Sequence, residues 1–352
     1  MPVPVMHFDS HARRTARLAS PSASRRTFLW PLLTMALALA APPLALAQDA
    51  YPARPISIIN PNPPGGFVDN VGRGLAQSMQ RILKQPVLIV NRGGANGSIG
   101  AAAVAAAAPD GYTLLLTSPS FAAQPAIDEV FERPLAYSLA KFVPVAQITS
   151  DPAILLAHPG LGVKTLQEFI GRAKAAPGDV IVTSSGTYGA THLPLAMLEI
   201  ATGIKLRHVP TSGGAPAMTM TLGGHSNAVA SAPSVAFPQV QANRLVALAQ
   251  SGAKRLASFP EVATFRESGV DLEFSLWTSL FAPAATPPAA LKVLTQAVRQ
   301  AVQDEQFRAS MTKGNSALAY LDGDEFAAVW RAEVKKLQDT VRHIGKVSDT
   351  PP

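Results

Sequence analysis

The chain contains no cysteine, which excludes disulfides, thiolate catalysis and cysteine-type zinc sites. No G-x-S-x-G elbow occurs, so the usual setting of a hydrolase serine is missing. Neither a Gly-Lys-Ser/Thr phosphate loop nor a G-x-G-x-x-G dinucleotide fingerprint is present. His158, His192, His208 and His225 lack the close paired spacing of a metal site. Acidic residues are sparse through the middle of the chain, where a carboxylate pair for general acid–base work would have to be assembled. The pattern predicts no enzyme, no metal and no cofactor.

The formal net charge of +7 rests largely on the N-terminus. Setting aside residues 1–47 removes five arginines and Asp9, which leaves a net charge near +3. No run of Lys and Arg follows, and nucleic-acid binding requires a concentrated basic face. The one long apolar run, Pro31 to Ala47, has 17 residues and contains Pro42 and Pro43. A membrane span needs about 20. Arginines before the run and Ala45-Leu46-Ala47 at its end instead predict a cleaved export signal over residues 1–47, and hence a periplasmic protein. Arg25-Arg26 followed by Phe28-Leu29 favours the twin-arginine route over Sec.

What remains is enough for one large domain or two ordinary ones. Ile56–Asn60, Val87–Val90 and Thr113–Thr117 read as strands, with helices over Val68–Leu83 and Ile99–Ala107 between them. Such alternation implies parallel strands with helical crossovers. A second α/β unit follows, with strands at 153–157, 180–183, 205–208, near Ala228, and 245–249. Its helices are expected at 166–175, 190–201 and 215–222. Leu276–Ala282 reads as a strand rejoining the first sheet, and Ala289–Val302 and Glu325–His343 carry helical periodicity.

The loops after these strands hold the candidate chemistry. Asn60-Pro61-Asn62-Pro63-Pro64-Gly65-Gly66 opens the first helix, where exposed amides attract an anion and glycines allow close approach. Thr183 to His192 is rich in hydroxyls at another helix start. Ser118-Pro119-Ser120 and Thr211-Ser212-Gly213-Gly214 are smaller versions. Taken singly, each reads as ordinary helix capping by Ser or Thr. Jointly, at the carboxyl ends of strands, they suit a carboxylate held by neutral hydrogen bonds.

In order along the chain, several stretches resemble the receptor component of tripartite tricarboxylate transporters, the Bug-type binding proteins. They are Pro63-Pro64-Gly65-Gly66 with Asp69, Val90-Asn91-Arg92, Gly97-Ser98-Ile99-Gly100, and Ala108-Pro109-Asp110-Gly111-Tyr112-Thr113-Leu114. Pro210 to Ala217, Leu222-Gly223-Gly224 and Phe281-Ala282-Pro283 continue the likeness. The resemblance implies a two-lobed α/β periplasmic-binding-protein fold of the Venus-flytrap kind, each lobe a mixed sheet flanked by helices. Lobe 1 would comprise 49–150 plus 249–352, and lobe 2 would comprise 151–248.

The resemblance further implies a small carboxylate bound between the lobes and handed to membrane permease subunits. A ligand-sensing subunit serving a signalling partner is the alternative. Carried onto this chain, the ligand-binding candidates of the first loop are Pro63, Gly65, Gly66, Phe67 and Asp69. Those of lobe 2 are Ser184, Ser185, Thr187, Tyr188, Gly189, Thr191 and His192, joined by Ser118, Ser120, Thr211, Gly214, Ala215 and Ser231. A lobed protein that must open gains little from a fixed interface, which predicts a monomer. The chain departs from the family pattern at Asn62, where an aromatic residue is common, and at Phe67, where a small one is usual. It departs again at His225-Ser226-Asn227-Ala228, where the family has an acidic segment. The first two departures bear on the pocket.

Overall fold

The computed structural model describes residues 51–347; the export-signal reading of residues 1–47 lies outside them. The elements begin β1 (Ile56–Asn60), α1 (Phe67–Leu83), β2 (Val87–Asn91), α2 (Ser98–Ala105), β3 (Thr113–Thr117), α3 (Ser120–Val130) and β4 (Phe142–Pro152). Next come β5 (Ile154–Ala157), α4 (Leu166–Ala175), β6 (Ile181–Ser184), α5 (Leu193–Thr202), β7 (Arg207–Pro210) and α6 (Gly214–Leu222). β8 (Ala228–Ser231), α7 (Pro233–Gln241), β9 (Val246–Gln250) and β10 (Ser275–Pro283) follow. The chain closes with α8 (Pro288–Ala301), α9 (Glu305–Lys313), β11 (Leu318–Asp322) and α10 (Gly323–Ile344).

Two mixed sheets result. The first has the order β11-β4-β10-β3-β1-β2 and the second β7-β6-β8-β5-β9. β1 pairs in parallel with β2 and β3, as β6 does with β7 and β8. These parallel pairs place the β1, β3 and β6 loops at strand carboxyl ends, each opening toward a helix. α1 shows why the local pattern holds: Val68, Val71, Leu75 and Met79 recur at helical spacing and are buried against the first sheet. The opposite face of that sheet carries an aromatic cluster that includes Phe121, Phe142, Trp277, Phe281, Phe326 and Trp330.

The chain passes between sheets at two places that lie side by side. β4 runs through Pro152 into β5, and the segment after β9 returns to β10, with Ser275 opposite Pro152. Ser251 fastens the two. Its hydroxyl accepts from the Ala153 amide at 2.8 Å and donates to the Phe274 carbonyl at 2.6 Å, while its amide donates to the Ala153 carbonyl. The long helix α10 touches α3, β4 and α5, and so packs on elements associated with both sheets.

Helix α5 begins at Leu193, three residues later than the sequence pattern suggests. Tyr188 at φ +57° and the His192-to-Gly189 backbone bond make 188–192 a separate turn. α3, β4, α7, α9 and β11 carry no clear pattern in the sequence. Pro125 interrupts α3 and Pro238 interrupts α7, while β4 contains Pro144 and ends on Pro152. A proline inside a helix removes an amide donor and leaves the carbonyl four residues earlier without its bond. For Pro125 that carbonyl belongs to Phe121, and the buried Tyr137 hydroxyl donates to it at 2.8 Å.

Candidate functional site

A cavity of about 410 Å³ lies where the strand-end loops of the two sheets meet. From the first sheet come residues 62–68, Asn96, Ser118, Ser120 and Leu276; from the second come Ser185, 189–191, 212–216, Ser231, Ala232 and Val235. The two sides approach closely. A Cβ built on Gly213 would lie 3.9 Å from Pro63 Cγ.

Four helices start at this cavity: α1 behind Gly66, α3 behind Pro119, α6 behind Gly213 and α7 behind Ala232. None has its first turn capped by a side chain. Elsewhere, Thr165, Asp304 and Asp322 cap α4, α9 and α10 with side-chain oxygens. Helices α2, α5 and α8, behind Gly97, His192 and Pro287, also lack a side-chain cap. The first-turn amides of a helix have no partner inside it. In α1 the first intrahelical bond is Asn70 to Gly66, so the preceding amides depend on something outside the helix. Their aligned dipoles favour negative charge.

Among the described residues, no Asp, Glu, Lys, Arg or His lines the cavity. Its polar side chains are Asn62, Asn96 and the hydroxyls of Ser118, Ser120, Ser185, Thr191, Ser212 and Ser231. Thr191 Oγ1 accepts from the Ser185 amide at 2.9 Å and donates to Ser185 Oγ at 3.0 Å. Ser118 and Ser120 hydroxyls stand 3.5 Å apart.

Of the sequence-predicted residues, the structure brings Pro63, Gly65, Gly66, Phe67, Ser118, Ser120, Ser185, Gly189, Thr191, Gly214, Ala215 and Ser231 to this one cavity. Asp69, Ser184, Thr187, Tyr188, His192 and Thr211 stand outside its lining. Asp69 is 1 % exposed and lies behind the first loop. It accepts from the Gly65 amide at 2.9 Å, Arg73 Nε at 2.8 Å and Asn91 Nδ2 at 2.8 Å, with Asn60 farther off at 3.3 Å. Burial alone would raise its pKa, but the hydrogen bonds from Arg73, Gly65 and Asn91 outweigh it and hold the carboxyl below its usual range. Gly65 takes φ +77° in this loop, a conformation that favours glycine. Asn91 Nδ2 also donates to the Asn62 carbonyl, so one polar cluster sets the backbone that faces the cavity.

The outliers near the second sheet organise their own loop. Ser184 Oγ lies 2.7 Å from His208 Nε2, and Thr211 Oγ1 donates to the carbonyls of Ser184 and Gly213 at 2.9 and 2.7 Å. His192 Nδ1 accepts from the Tyr188 amide at 3.0 Å, with the His208 ring 4.0 Å away. Burial first, and then His208, lowers the His192 pKa to about 3. The imidazole is therefore neutral and brings no positive charge to a nearby anion. Tyr188 turns away: its hydroxyl donates to the Gly345 carbonyl at 2.5 Å and accepts from the Val347 amide at 3.0 Å. Asn96, Val235 and Leu276 were missed because nothing local marks them; they reach the cavity through tertiary packing. Ser212 and Gly213 belong to a loop that the sequence does flag.

Residues 71–346 match the family described as tripartite tricarboxylate transporter family receptor. Protein BugT of Bordetella pertussis is 32% identical over 303 residues, covering 85% of this chain and 92% of that protein. Among solved structures, periplasmic binding protein BugD is 27% identical with a TM-score of 0.75, covering 84% of this chain and 99% of that one. MatC from Rhodopseudomonas palustris, solved with bound malate, is 28% identical with a TM-score of 0.74, covering 82% and 99%.

Proposed function

Because the chain belongs to the tripartite tricarboxylate transporter receptor family, we propose that it captures a small carboxylate in this cavity and delivers it to membrane permease subunits. The observation that carries the reading is the convergence of four uncapped helix starts and a set of hydroxyls on one cavity without a charged side chain. The first-turn amides of α1 and α6, with the cavity hydroxyls, replace the water around a carboxylate, and helix dipoles offset its charge. Helices α3 and α7 contribute mainly dipole, since the Phe121, Ala122 and Val235 amides already donate to backbone carbonyls and α7 opens on Pro233. The malate bound by MatC is in keeping with such a ligand class.

The moving bodies are 49–150 with 249–352, and 151–248, opening about the paired crossings that Ser251 fastens. Hinge closure around a ligand is a common device of two-lobed binding proteins. The chain acts periplasmically, as a monomer, without cofactor and without turnover. An alternative ligand-sensing role would use the same cavity with a different partner.

Thermal-shift measurements with malate, adipate, citrate and benzoate test the binding step. A ligand at a hundred times its dissociation constant that binds only the folded state adds about 2.7 kcal/mol of stability. A clear rise in Tm with at least one acid is expected, and silence from all four would contradict carboxylate capture. Uptake of the responding acid by cells with and without the chain tests delivery: unchanged uptake on deletion would remove the transport role.

A further inference from the structure

Helix α10 ends against the loop between β6 and α5. Phe326 and Trp330, near its start, sit in the aromatic cluster on the first sheet, whereas Leu337 and Val341 belong to the core that contains Val182 and Leu193. Gly345 then takes φ +68° and turns the chain out of the helix. Residues 345–347 close on the Tyr188 hydroxyl, which donates to the Gly345 carbonyl at 2.5 Å and accepts from the Val347 amide at 3.0 Å. The intervening Lys346 pairs with Glu132 at 3.0 Å, but both are exposed and screened, so the hydroxyl carries the attachment. Tyr188 itself is buried and takes φ +57°, a left-handed backbone disfavoured for a residue with a Cβ. Such a conformation persists where its surroundings over-determine it. Here His192 Nδ1 receives the Tyr188 amide, the Phe131 ring meets the tyrosine ring edge-on at 6.1 Å, and residues 345–347 hold the hydroxyl. The turn that follows is tight. A Cβ built on Gly189 would lie 2.9 Å from the Gly186 carbonyl oxygen and 3.1 Å from Ser185 Oγ, so movement of Tyr188 passes directly to its neighbours.

We infer that Tyr188 is a positioning residue for the cavity and that residues 345–347 form the clasp that holds it, so that the end of α10 sets the geometry of the 185–191 loop. The inference rests on the reading of the cavity as a carboxylate site. Neither Tyr188 nor the clasp lines the cavity; they act through Ser185, Gly189 and Thr191, which do. Ser185 and Thr191 are joined to each other by two hydrogen bonds, and Tyr188 stands between them in the chain. With the clasp intact, the loop presents these groups already arranged. Without it, Tyr188 is free to leave the left-handed region, and the loop must be ordered again by each ligand that binds. That ordering is subtracted from affinity and shows chiefly as faster dissociation. Because α10 is rooted in the first-sheet aromatic cluster, the clasp also ties a loop of the second sheet to the first.

Two full-length variants test this from opposite ends of the clasp. Tyr188→Phe removes only the hydroxyl, and Val347→Pro removes the amide that donates to it while leaving Tyr188 in place. Hydrogen exchange is followed by mass spectrometry, and affinity by calorimetry with whichever of malate, adipate, citrate and benzoate raises the parent's Tm most. Each variant should speed exchange at 185–191 relative to the rest of the chain and weaken the acid about three- to tenfold. The double variant should bind no more weakly than the weaker single one, because both substitutions break the same clasp. Additive losses in the double variant would overturn the clasp. Unchanged affinity in both single variants, whether exchange is unchanged or rises uniformly along the chain, would overturn the positioning role and leave carboxylate capture standing. If none of the four acids binds the parent, the carboxylate reading falls, and exchange alone decides: faster exchange confined to 185–191 sustains the clasp, and any other pattern overturns it.

Discussion

Asp69 serves the cavity from behind it. The carboxylate takes up the Gly65 amide, Asn91 and Arg73 and thereby shapes the first loop, whose other face lines the cavity. Asp69→Asn removes the charge but keeps the shape. Unfolding in urea should show a loss of about 1–3 kcal/mol, nearer the lower figure because Arg73 is half exposed and its ion pair is screened. Carboxylate affinity should fall as the loop loosens. His192 makes a pH-dependent prediction. Its pKa is about 3 folded and near 6.5 unfolded, so the unfolded chain binds more protons between those values. Its contribution to stability is complete above about pH 6.5 and is lost as pH falls toward 3, each unit of difference being worth about 1.4 kcal/mol. His192→Asn retains an acceptor for the Tyr188 amide. The variant's stability difference between pH 7.5 and 5, measured by chemical denaturation, should be smaller than that of the parent. An unchanged difference would rule out His192 as its source.

Elements became legible in the sequence to the degree that their signals are local. β1, α1, β2 and β3 follow from apolar spacing and from the Pro/Gly loop between them, because turn chemistry and helix periodicity act over a few residues. β4 escaped notice because Pro144 and Pro152 argue against a strand, although pairing with both β10 and β11 overrides them. Helix α3 escaped because Pro125 breaks its pattern, and the compensation comes from Tyr137, twelve residues away. The site divided in the same way. Gly65, Gly66, Ser185 and Gly214 lie in loops with visible donor chemistry, whereas Val235 and Leu276 are defined only by what folds against them. Ser184, Tyr188 and His192 show the reverse, since donor-bearing side chains in a promising loop are consumed in shaping it. At the crossing, Ser251 bonds four backbone groups, the amides and carbonyls of Ala153 and Phe274, two of them through its hydroxyl. Ser251→Ala should cost about 1–3 kcal/mol of stability by leaving the Ala153 amide without its acceptor. Hydrogen exchange should quicken at Ala153 and Phe274, and a uniform change across the protein would contradict a local role.

Across the molecule, pH acts on both sheets in opposite directions. Asp151 is buried and Glu333 half-buried, and burial raises their carboxyls to about 6 and about 7, despite donors from Ala317 and Ser316 to the first and from Trp277 to the second. Each binds its proton more tightly when folded. Their contribution is complete below the unfolded carboxyl range, near 4, and is lost as pH rises through 6 and 7. It therefore opposes that of His192 between about pH 4 and 6.5. Glu333→Gln should remove part of the stability lost between pH 5 and 8, and denaturation curves at the two values will show whether it does. Among the described residues no titrating side chain lines the cavity, so the affinity for the proposed carboxylate should stay nearly constant over the same interval.

The most direct measurement is calorimetric titration of small carboxylates into the parent protein and into Ala215→Asp. Ala215 lies in the first turn of α6, lines the cavity and is exposed. An aspartate there complements the helix dipole and places a negative charge where the ligand carboxylate would sit. Binding by the parent, and its loss in a variant whose Tm is equal or higher, is the predicted result. Equal binding by both proteins would show that the carboxylate site lies elsewhere.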